Sequence, residues 1–121
     1  MFDKTLLFNK AYGCLASVAI GDAMGMPVEM LRPDEIKRIY GFIRDFVCAP
    51  SYHPSFILKA GQVTDDTEET LLLADILIRY KGEITTETVA EEFAKWARNR
   101  NIFDAHLANS SATVSVVISP L

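Results

Sequence analysis

The stretch GQVTDDTEETLLLAD, residues 61–75, changes character at its middle: a polar segment carrying two adjacent aspartates gives way to an apolar run. Leu71, Leu72, Ala74, Ile76, Leu77 and Ile78 recur at helical spacing over a broad surface. The pattern predicts a helix over residues 67–81, apolar enough to be central, with Gly82 as its C-cap. Asp66 followed three positions later by Glu69 fits a capping box, and Glu68 and Glu69 suit the positive end of a helix dipole. One carboxylate suffices as a cap, and two neighbouring aspartates repel each other unless something positive lies beside them. Thr64 adds a hydroxyl next to Asp65 and Asp66, so the stretch reads either as a plain helix start or as an oxygen-rich corner. Hard oxygens without imidazole or thiolate favour Mg²⁺, Mn²⁺ or Ca²⁺ over zinc or copper.

Toward the N-terminus, Leu7, Ala11, Leu15, Val18 and Ala19 share a three-to-four spacing that predicts a helix over residues 4–24 with one buried stripe. Gly21, Gly25 and Pro27 permit tight packing at its end and then force a turn toward Glu29. Taken by spacing alone, Glu29 is a solvated surface glutamate and Asp22 an acid satisfying nearby backbone amides. A short helix follows, with Pro33 in its first turn, Ile36, Ile39 and Tyr40 on one face, and Gly41 closing it.

Residues 42–63 lack periodicity and contain Pro50, Pro54 and Gly61, which predicts a long loop of a kind that is often functional. Thr85 or Thr86 caps a further helix to about residue 99, with Val89, Phe93 and Trp96 as its buried stripe. Residues 109–121 fit a strand or a helix, and a helix is favoured because the rest of the chain is helical. The fold class expected is all-α, in one domain.

Composition narrows the function. The chain has 121 residues, half of them hydrophobic, and a formal net charge of −4, which supplies no basic footprint for nucleic acid. Cys14 and Cys48 show no metal-finger spacing and read as reduced, buried thiols. Asn9, Lys10 and Tyr12 interrupt the apolar residues 6–20, and no run reaches the ~18 residues of a membrane span. A cytoplasmic protein without a membrane partner is expected.

Two segments together carry a resemblance. GCLASVAIGDAMGMPVE at residues 13–29, followed by GQVTDDT at residues 61–67 and a Leu/Ala-rich helix, resembles the N-terminal part of the ADP-ribosylglycohydrolase family. That family includes the enzyme that removes ADP-ribose from dinitrogenase reductase. The resemblance implies an orthogonally packed helical domain with a two-metal centre, usually Mg²⁺ or Mn²⁺, that hydrolyses the bond between ADP-ribose and a protein side chain. It implies Thr64, Asp65 and Asp66 as metal ligands, Glu29 and Asp65 as catalytic residues, and Asp22 at the substrate cleft. ADP-ribose or an ADP-ribosylated protein would be the partner.

Members of that family are normally more than twice as long, with a second set of ligands, Asp-x-Asp-Thr/Ser, near the C-terminus. This sequence has no second such motif. An octahedral Mg²⁺ takes about six oxygens, more than Thr64, Asp65, Asp66 and Glu29 supply. Residues 1–121 are thus expected to form a truncated domain holding the N-terminal half of the site. Weak single-ion binding, no activity of the chain alone, and self-association through exposed apolar helix surface follow. The alternative is an inactive relative acting as a binding or structural helical module.

Overall fold

Asp3 opens the first helix: its carboxylate accepts the amides of Thr5 and Leu6 at 3.0 and 3.1 Å, and α1 then runs Lys4–Gly25. Pro27 follows in a single 3-10 turn, Met26–Val28, and Pro33 starts α2, Pro33–Tyr40. After a long irregular segment come α3, Asp65–Arg79, and α4, Thr86–Asn99. The structure, a computed structural model, describes residues 3–99. The described residues are all-α, with no β-strand, as expected; residues 109–121 lie outside them.

Helix ends follow local chemistry. Gly41 closes α2 at φ +68°, its amide donating to the Lys37 carbonyl at 2.9 Å. Thr85 caps α4, its hydroxyl accepting the Thr88 amide at 3.2 Å. At the end of α3 the Gly82 amide donates to Leu77 at 2.8 Å and the Lys81 amide to Ile78 at 3.1 Å, the paired bonds of a Schellman motif. The left-handed position that this motif prefers to fill with glycine is held by Lys81, at φ +53°, and Gly82 lies one residue beyond it.

Packing runs from α1 to α3 and from α3 to α4. Ala19 and Ala23, both fully buried, bring α1 close to Val63, just ahead of α3, and Ile76 is the fully buried residue of α3. The expected stripes are only partly covered. Leu7 on α1, and Leu71, Leu77 and Ile78 on α3, are exposed, because both helices are apolar on more than one side while each neighbour covers one side. Val89, Phe93 and Trp96 are half-buried, with the two rings edge to face at 6.4 Å. Cys14 and Cys48 are free thiols as expected, but exposed rather than buried.

The expectation of no membrane-length run is also corrected. The segment Lys4–Val28 contains an 18-residue window with a mean hydropathy of 1.2 and is long and apolar enough to cross a membrane by length and composition. A core helix meets the same criterion, and α1 carries a carboxylate, Asp22, into contact with α3.

Residues 42–63 form no helix, and a succession of turns organises them. The amides of His53, Phe56, Leu58 and Gln62 each donate to the carbonyl three residues earlier, at 2.9 to 3.0 Å. Two tyrosines pin the segment to α2: Tyr40 donates to the Cys48 carbonyl at 2.7 Å, and Tyr52 donates to Glu35 at 2.5 Å. Near its end, Gly61 adopts φ +79°, and a Cβ there would stand 3.4 Å from the Phe46 ring.

Arg79 ties α3 to α4, bonding Asp75 and Glu92 at 2.7 Å each, while Lys95 bonds Glu92 at 2.7 Å. The Lys95 ammonium and the Arg79 guanidinium hold the Glu92 carboxyl below its ordinary value. A depressed carboxyl pKa contributes stability that is full above the unfolded value of about 4.3 and is lost as pH falls through the folded value. The denaturation midpoint should therefore drop on acidification through that window, and less so in Glu92→Gln. Separately, Lys81→Gly relieves a left-handed residue and should stabilise the chain by about 1 kcal/mol in urea denaturation.

Candidate functional site

The N-terminus of α3 is capped from another helix. Thr64 occupies the N-cap position with extended backbone, yet its side chain makes no cap bond. Its hydroxyl instead donates to Asp22 Oδ1 at 2.6 Å, and its amide donates to Asp22 Oδ2 at 2.7 Å. Thr67, only 3% exposed, gives Oδ2 both its hydroxyl, at 2.5 Å, and its amide, at 3.3 Å. Asp22 thus takes up the third amide of the helix, the usual task of a local cap, from 45 residues away.

This arrangement replaces the capping box read from the sequence. Asp66 is the second helical residue rather than the cap, because a carboxylate from α1 has already taken the amides that a local side chain would accept. The negative charge of Asp22 also lies at the positive end of the α3 dipole, where it is favourable. Asp65 and Asp66 fill the first turn of α3 and are exposed.

Two open clefts meet at this corner. One, of about 360 Å³, is lined by Gly21, Asp22, Gly25, Met26, Val28, Glu29, Thr64 and Asp66. The other, of about 490 Å³, runs between α1 and α3 and is lined by Val18, Asp22, Asp66, Glu69, Thr70 and Leu73. Asp22 and Asp66 belong to both. The fold therefore brings Asp22, Glu29, Thr64 and Asp66 around one cleft, whereas Asp65 lines neither.

Gly21 and Gly25 have a different use from the one expected. A Cβ added at either would meet no atom within 4 Å, so neither glycine serves tight packing. Both border the first cleft and leave its floor clear of side chains.

The donor set suits a hard divalent cation. Glu29 and Asp66 offer carboxylates, and Thr64, whose hydroxyl proton is committed to Asp22, keeps its oxygen lone pairs for another partner. Among the described residues no three His, Cys, Asp or Glu side chains converge closely enough to hold a metal by themselves. The corner thus has the right donor chemistry for part of a coordination shell.

Sequence reasoning missed two side chains here. Thr67 followed the aspartate pair and was the available signal, a second threonine placed to bond the same partner as the first. His53 lay in the long loop and had no local signal; its ring reaches the Glu29 carbonyl at 2.8 Å.

A family model described as ADP-ribosylglycohydrolase matches residues 3–119. The chain belongs to the ADP-ribosylglycohydrolase family. Among similar proteins, it is 36% identical over 94 residues to the ADP-ribosyl-[dinitrogen reductase] glycohydrolase of Rhodospirillum rubrum, covering 78% of this chain and 30% of that protein. An uncharacterized protein of Archaeoglobus fulgidus is 37% identical over 93 residues, 77% of this chain and 29% of that one. An ADP-ribosylarginine hydrolase of Pseudomonas putida is 33% identical over 91 residues, 75% of this chain and 22% of that one. The chain thus spans less than a third of the length of these relatives. No solved structure matches it.

Three substitutions check the corner. Thr67→Val removes a buried donor to a carboxylate and should destabilise the chain by about 2 kcal/mol in urea denaturation. Combined with Asp22→Asn, it should cost less than the sum of the two, since both act on one network. By contrast, Gly21→Ala should stabilise α1 by roughly 0.5–1 kcal/mol while adding a methyl group to the cleft.

Proposed function

We propose that this chain supplies the N-terminal part of a metal-dependent hydrolase site that removes ADP-ribose from modified protein side chains. The observation that carries the reading is the convergence of Glu29, Thr64 and Asp66 on one cleft, in a chain of this family. Names of similar proteins favour an ADP-ribosylated substrate, ADP-ribosylarginine among them.

Thr64, Asp65 and Asp66 are the proposed ligands of Mg²⁺ or Mn²⁺, Asp65 from the exposed first turn of α3 beside the cleft rather than from its lining, with two ions held in the complete site by further oxygens from outside residues 3–99. When bound, such a cation supplies positive charge that acidifies water and draws electron density from sugar hydroxyls. Glu29, exposed at the mouth of the cleft, is the proposed acceptor of the proton from the water that attacks the anomeric carbon, while the bond from that carbon to the modified side chain breaks and the side chain leaves with the bonding pair and takes up a proton. Its exposure leaves the carboxylate accessible to that water. Asp22 orients Thr64 so that the hydroxyl oxygen faces outward as an acceptor, the work of a residue behind the ligands. Asp22 also lines both clefts, where the family likeness implies a place beside the substrate.

Incubation of a full-length form, in which residues 1–121 are joined to the rest of the site, with ADP-ribosylated arginine peptide and Mg²⁺ or Mn²⁺, and released ADP-ribose measured by chromatography, tests the reading. Release should require the cation and vanish in Asp65→Ala and Asp66→Ala; release that survives both substitutions defeats it. The second reading is a binding module without hydrolysis. Binding of ADP-ribose without release of product from the peptide would support it.

A further inference from the structure

Among the described residues, Thr67 and His53 are the buried polar side chains, and His53, 4% exposed, has no part in the capping of α3. Both of its ring nitrogens are engaged by backbone. The Ser55 amide donates to Nδ1 at 3.0 Å, and Nε2 lies 2.8 Å from the Glu29 carbonyl oxygen. A peptide N–H can only donate and a carbonyl can only accept, so the imidazole is neutral, with its proton on Nε2.

The carbonyl that it holds belongs to a strained turn. The Leu31 amide donates to the Val28 carbonyl at 3.1 Å, Glu29 has φ −52° and ψ 139°, and Met30 has φ +60°. These are the marks of a type II turn, whose second central position normally belongs to glycine. Met30 fills it with a side chain 88% exposed, which contributes no packing to hold the turn. A residue kept in the left-handed region persists only where its surroundings over-determine it. The buried Met26 and Pro27 anchor the turn on one side, and His53 anchors it on the other.

We propose that His53 is a positioning residue: it fixes the turn at Glu29 and so aims the Glu29 carboxylate at the cleft that it shares with Thr64 and Asp66. The residues 42–63 then have a stated task. They strap a neutral imidazole across from the loop to the turn, with Tyr40 and Tyr52 tying the strap to α2. The functional weight of this inference rests on the proposed role of Glu29, but the structural link does not.

Two substitutions separate the two bonds of the ring. Gln at position 53 places an amide nitrogen near the site of Nε2, whereas Asn places an oxygen near the site of Nδ1. In the unmodified protein, long-range proton–nitrogen NMR correlations should show His53 protonated at Nε2; protonation at Nδ1 overturns the proposal whatever the variants do. The backbone amide signals of Glu29, Met30 and Leu31 should move in His53→Asn and stay close to the parent in His53→Gln. Mn²⁺ titration followed by the spin-resonance signal of the free ion should show about tenfold weaker binding in His53→Asn and near-parent binding in His53→Gln. Unmoved turn amides together with unchanged Mn²⁺ affinity in His53→Asn overturn it. A parent protein that binds no Mn²⁺ refutes the metal reading alone, and the turn amides then judge the role of His53.

Discussion

The carboxylate of Asp22 is the constraint on which the arrangement of this corner depends. It ties the last turns of α1 to the first turn of α3 by four bonds from two threonines, two of them from backbone amides. Charged acceptors make stronger hydrogen bonds than neutral ones, and here the acceptor also faces the positive end of a helix. The buried apolar contact between these elements is small, chiefly Ala19 and Ala23 against Val63. Small side chains allow close approach but specify little, so the polar link sets where α3 begins and which way its first turn faces.

From that link the rest of the corner follows. With the amides of Thr64 and Thr67 occupied by Asp22, the adjacent aspartates are spared capping and remain exposed at the helix start. With its proton committed, the Thr64 hydroxyl presents lone pairs. Gly21 and Gly25 keep the neighbouring space open, and the 3-10 turn carries Glu29 to the far side. His53 closes this frame by holding the Glu29 carbonyl from a loop 24 residues further along the chain. The described residues form a framed corner with exposed oxygens, while large parts of α1 and α3 remain apolar and uncovered.

Helix positions were legible in the sequence because their signals are local. The spacing of Leu71 to Ile78, Pro33 at the start of α2 and Thr85 before α4 each act within a few residues of the backbone that they shape. The family was legible for the same reason, through two short segments in a fixed order. The faces that become buried were not. Leu7 and Leu71 match a buried stripe as well as Ala19 and Ile76 do, and which of them is covered depends on where a neighbouring helix lies. Lys81 in the left-handed position of α3's end, with Gly82 beside it, shows a milder case: the signal was present and the register was off by one.

By itself, then, the sequence determined the helical character of the described residues and the family, and it offered Asp22, Glu29, Thr64, Asp65 and Asp66 as candidates. The tertiary structure decided what each carboxylate faces. Asp22 and Asp66 are chemically the same group, and only the packing of α1 on α3 makes the first an acceptor for four donors and leaves the second at the cleft. Hydrogen bonds between residues some 42 to 45 positions apart have no local sequence signature, because the partners meet only after the helices have packed. Those bonds give a run of acidic and hydroxyl residues a direction.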